Sequence, residues 1–117
     1  MYFAYSAEVI ESGESTAKKE FQEWASKFTD CAGEVQTGDR WRANVSTKSK
    51  TVDGKHQIQA VVTVCVLDHE NHCQRKTFAT KFLWKTHPHA PTLRGRAINE
   101  ANRWIEEETG KSYAMHV

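Results

Sequence analysis

Along most of this chain apolar residues recur with a period of two, and in two stretches they recur every three to four residues. The first alternating segment covers residues 2–10, with Phe3, Tyr5, Ala7 and Val9 on one side. It predicts a half-buried strand that Ser12-Gly13 should end. From about Ser15 the apolar positions Ala17, Phe21, Trp24, Ala25 and Phe28 form a helical stripe. Cys31 continues it as a small buried hydrophobe, and Gly33 stands where a left-handed helix cap belongs.

Three alternating segments follow. Arg40 to Lys50 sets Trp41, Ala43, Val45 and Thr47 against Arg40, Arg42, Asn44, Ser46, Lys48 and Lys50, so one face is apolar and the other cationic. Asp53-Gly54 is a pair favoured in tight hairpins, and His56 to Leu67 then carries Ile58, Ala60, Val62, Val64 and Val66 on the apolar face. After the polar turn Asp68 to Cys73, Phe78, Thr80, Phe82 and Trp84 alternate with Thr77, Ala79, Lys81, Leu83 and Lys85. A second helical stripe, Leu93, Ala97, Ile98, Ala101, Trp104 and Ile105, is expected to start near Thr92 and stop at Gly110.

The expected fold class is therefore α+β, in the order β-α-β-β-β-α. An antiparallel sheet of three to four strands would carry two helices on its apolar face and leave the other face open to solvent. All 117 residues fit one domain, with 111–117 a short tail, since no repeat or linker divides them. The place of the first strand in the sheet is not set by the pattern.

Charge sharpens this picture. The net charge of +1 conceals a block of −4 over residues 1–40, +7 over 41–96 and −2 over the remainder. No apolar run approaches the ~18 residues of a membrane span. Met1 to Glu8 lacks the basic start and unbroken apolar stretch of a secretory signal. The three cysteines, Cys31, Cys65 and Cys73, form no CxxC pair and read as reduced thiols. A cytoplasmic address with no membrane partner is the expectation.

The cationic sheet face, with Arg40, Arg42, Lys48, Lys50, Arg75, Lys81 and Lys85, is suited to neutralising phosphates. Arg94 and Arg96 lie at the start of the second helix, where cations oppose the helix dipole. An anion held there with His87 and His89 would compensate and extend the face. The order helix, three strands, helix is similar to that of double-stranded-RNA-binding domains. The likeness is one of order alone: no loop motif matches and a strand precedes it, so no residue is carried over.

Val61, Cys65, Ala79 and Leu83 interrupt the cationic face with apolar surface, as the centre of a protein interface would. Asp68, His69, His72 and Cys73, with Cys65 nearby, are acceptable metal ligands, but their spacing matches no finger or ribbon and a polar turn is expected instead. The four tryptophans, Trp24, Trp41, Trp84 and Trp104, all fall on faces assigned to the core. No phosphate loop, nucleophile elbow or paired carboxylates are found, which points away from an enzyme and from a cofactor. The expected function is a non-enzymatic module that binds DNA or RNA through the basic face and the start of the second helix. The alternative is a protein-binding or inhibitory domain that docks Val61, Ala79 and Leu83 on an acidic partner.

Overall fold

The computed structural model describes residues 7–15, 33–38, 40–70 and 72–110. Six strands run in sequence: β1 (Glu8–Ser15), β2 (Glu34–Gly38), β3 (Trp41–Val52), β4 (Lys55–Leu67), β5 (Cys73–Ala79) and β6 (Leu83–Trp84). A 3-10 turn at Ala90–Thr92 leads into one α-helix, α1 (Leu93–Thr109). The strands form a single antiparallel sheet in the order β1-β5-β4-β3-β2, with β6 paired to β4 alongside β5.

The β3–β4 hairpin is its spine. Asp53 and Gly54 take positive φ angles of 52° and 77°, which suits a two-residue turn matched to the right-handed twist of strands. Pairing then runs unbroken from Val52↔Lys55 to Trp41↔Val66. Trp41 lies across the β2 backbone at Gly38, where a Cβ would stand 2.0 Å from its indole Nε1, so only glycine permits the approach.

Helix α1 buries the stripe Leu93, Ala97, Ile98, Ala101, Trp104 and Ile105 against Trp41, Ala43, Val45, Ala60, Val62, Val64, Val66 and Phe78. Those strand residues share one face by the period of two. The helix stops at Gly110, whose φ of 74° lets its N–H reach the Glu106 carbonyl at 2.8 Å. No helix among the described residues is long and apolar enough to cross a membrane.

Several expectations are corrected. The sheet has six strands, not three to four, and among the described residues there is one α-helix rather than two. The order among the described residues, six strands then a helix, also departs from that of double-stranded-RNA-binding domains. Strand β2 had no sequence signal, because Val35 is its single apolar residue, itself 39% exposed, and β3 supplies the ladder that holds it. The helix expected from Ser15, with Trp24, lies outside the described residues beyond Ser15 itself, which ends β1. The expected strand over 2–10 is described only from Ala7. Ser12-Gly13 does not end β1, because pairing with β5 carries it on to Ser15. Val9, expected to be half-buried, is 48% exposed at this sheet edge.

The face opposite α1 was expected to be open, yet Val61, Cys65, Leu67, Cys73 and Ala79 are all buried. Ala60 to Leu67 is apolar except for Thr63, the composition of a strand covered on both faces.

The end of the β4–β5 ladder positions the site. Val61↔Ala79 and Ala60–Thr80 continue the β4–β5 ladder, after which β4 advances two residues to Ile58 while the opposing chain advances three, to Leu83. The extra residue at Lys81–Phe82 is a β-bulge. Thr80 pins it: its N–H donates to the Ala60 carbonyl (3.0 Å), its Oγ1 accepts from the Ala60 N–H (3.0 Å) and donates to the Lys81 carbonyl (3.1 Å). A one-residue shift exchanges the faces of everything beyond it. Leu83 therefore packs on the core, and Phe82 and Trp84, expected there, do not.

Candidate functional site

The bulge builds the far end of the sheet. Residues directly opposite in an antiparallel ladder share a face. The pairs Lys48↔Gln59, Lys50↔Gln57 and Gln57↔Trp84 therefore place Lys48, Lys50, Gln57, Gln59 and Trp84 on one surface, the face opposite α1. Lys55, two residues before Gln57, belongs to it by alternation. The Lys50 Nζ stands 4.3 Å over the ring of Phe82. Beside it, Trp84 is 38% exposed and lines an open groove of about 490 Å³ with Lys55, His56, Lys85 and Thr86.

The backbone of the groove is firm. The Lys85 N–H donates to the His56 carbonyl at 2.9 Å, and the His87 N–H donates to the Trp84 carbonyl at 2.8 Å. The His89 N–H donates to His87 Nδ1 at 3.0 Å, which leaves the two imidazole rings 5.5 Å apart. Lysines 48, 50, 55, 81 and 85 are all exposed at this end, together with Asp53 in the hairpin turn.

The other cations expected alongside them stand away from this end of the sheet. Arg40 turns to the β4–β5 turn, where its guanidinium donates to the carbonyls of Leu67 (Nε, 2.9 Å) and Asp68. Arg42 and Arg75 are half-buried on either side of Cys65, at the opposite end of the sheet face. The anion near the start of α1 is the chain's own: Arg94 is paired with Glu34 of β2. Arg96 Nε donates to Thr92 Oγ1 at 3.1 Å, and both arginines line a shallow groove of about 400 Å³ with Pro91, Thr92, Gly95 and Asn99. Of the cations read from the sequence, the structure gathers Lys48, Lys50, Lys81 and Lys85 at one end, with His87 and His89 just beyond Trp84.

The apolar trio is divided. Val61 and Ala79 are directly opposite one another and each only 5% exposed, while the bulge sends Leu83 to the core side. In the turn, Asp68 is buried and its carboxylate accepts from the backbone of Glu70 and His72 (2.9 Å each) and from Gln74 Nε2 (2.7 Å). Burial works against its ionisation, but these hydrogen bonds outweigh that and hold the carboxyl below its ordinary value. Its oxygens are thus engaged, and among the described residues no group of three potential metal ligands forms.

Sequence reasoning missed Trp84, Phe82, Lys55 and His56. The available signal was the run Phe82-Leu83-Trp84, three apolar residues that no regular alternation can place on one face. Comparison with family models, curated proteins and solved structures finds no match for this chain.

Proposed function

We propose that the protein binds single-stranded nucleic acid on the far end of the sheet, with a base stacked on Trp84 and phosphates held by the surrounding lysines. The observation that carries this reading is the exposed indole in a groove lined by Lys55, Lys85, His56 and Thr86, with no acid among them. Every base offers a π-face, so an exposed indole takes single strands with little regard to sequence. A duplex keeps those faces stacked inside. The lysines supply affinity through counterion release, and Gln57 among them offers hydrogen bonds without adding charge. The protein-docking alternative lacks the apolar centre it needs, because Val61 and Ala79 are buried and Leu83 faces the other way.

Fluorescence anisotropy with labelled single strands and duplexes, at two salt concentrations, tests the proposal. Single strands are expected to bind more tightly than duplexes. If Lys48, Lys50, Lys55, Lys81 and Lys85 each meet one phosphate, log K falls against log salt with a slope of about −3.5. Loss of the stacked base in Trp84→Ala weakens binding by about 5- to 150-fold, the equivalent of 1–3 kcal/mol. Absence of binding at low salt, or a Trp84→Ala variant that binds like the wild type, overturns it.

A further inference from the structure

We propose that Cys65 and Cys73 are a redox modification site, closing an intramolecular disulfide between β4 and β5 when a small-molecule disulfide is available as oxidant. The register pairs Cys65 with Arg75 and Leu67 with Cys73, so the two cysteines are diagonal neighbours on one face of adjacent strands. Their sulfurs are 3.0 Å apart, and a bond requires an approach of about 1 Å more, within the reach of a small side-chain rotation. Both residues are buried, at 0% and 1% exposure, and eight positions separate them across the turn at Asp68.

The same burial sets the order of events. It pushes the Cys65 thiol well above its ordinary value, a displacement reinforced by the hydrogen bond with Cys73, so Cys65 is a poor first nucleophile. Cys73 opens β5 directly after the turn, and local opening of that hairpin end brings it to solvent first. Its thiolate, having lost its proton to solvent, attacks one sulfur of an external disulfide such as oxidised glutathione and expels one glutathione thiolate. The Cys65 thiolate then attacks Cys73 Sγ in the mixed disulfide and expels the second. Two protein thiols are oxidised to one disulfide, and the glutathione disulfide is reduced to two thiols that take up the two protons. A glutathione adduct cannot remain, because the closed sheet has no room for a tripeptide at either buried sulfur.

The test uses the full chain incubated for hours with excess oxidised glutathione, then quenched in acid, alkylated in denaturant and mapped by mass spectrometry. The expected product is lighter than the reduced protein by about 2 Da, contains a linked Cys65–Cys73 peptide pair, and reverts with excess reduced thiol. The Cys31→Ser variant should give the same linked pair. Recovery of both cysteines alkylated, a persistent glutathione adduct on either, or a bridge to Cys31 would overturn the proposal.

Discussion

Thr80 holds the bulge that turns Trp84 outward, and replacing it with valine tests that role with almost no change of shape. Thr80→Val keeps the buried volume and the backbone bond to Ala60 but removes Oγ1. The Ala60 N–H, on a residue only 2% exposed, then loses its acceptor. The Lys81 carbonyl also loses its donor, but Lys81 is exposed and water can replace it. The cost therefore comes mainly from one buried N–H left without a partner, about 1–3 kcal/mol. With a urea m-value of about 1–3 kcal/mol/M, the midpoint falls by about 1 M. Thr80→Ser is the control: it retains both hydroxyl bonds and loses one methyl group, worth about 0.8 kcal/mol. Urea unfolding followed by far-UV circular dichroism measures both. If Thr80→Val is no more destabilised than Thr80→Ser, the hydroxyl does not pin the bulge and the account of how Trp84 reaches the surface is wrong.

Two further outcomes follow from burial and charge. Asp68→Asn turns one carboxylate oxygen into a donor facing Gln74 Nε2, and is expected to cost about 1.5–3 kcal/mol at neutral pH. Because the folded carboxyl lies below its ordinary value of 3.8, the unfolded chain binds the proton more readily. The wild-type advantage is thus complete above 3.8 and fades as pH falls through the lower folded value, which paired urea titrations at pH 7 and under acid conditions would show. A gap that stays constant into acid would refute the assignment. Trp104, 4% exposed and 6.1 Å from the Phe78 ring, should cost about 3–5 kcal/mol on replacement by alanine, while Trp84→Ala costs less than about 1 kcal/mol. Equal losses in thermal unfolding would contradict the placement of the two indoles on opposite sides of the sheet.

The sequence by itself determined the elements whose signal is local. Asp53-Gly54 sets its own turn, alternation from Trp41 to Val66 sets the apolar face of the hairpin, and the stripe from Leu93 to Ile105 with Gly110 beyond it sets the helix and its end. The segregation of positive charge between residues 41 and 96 was legible too, as was the concentration of lysines that now surround Trp84.

Tertiary structure decided the rest. β2 exists because β3 offers it a ladder, and β1 runs through Ser12-Gly13 because β5 does the same. Arg40, Arg42, Arg75 and Arg94 look alike as cations in sequence. Only the folded chain turns Arg40 to backbone carbonyls, half-buries Arg42 and Arg75, and pairs Arg94 with Glu34, which lies 60 residues away. The face of Trp84 depended on a single extra residue. Alternation carries no memory of a bulge, so a shift of one position at Lys81–Phe82 moved Leu83 into the core and the indole to the surface.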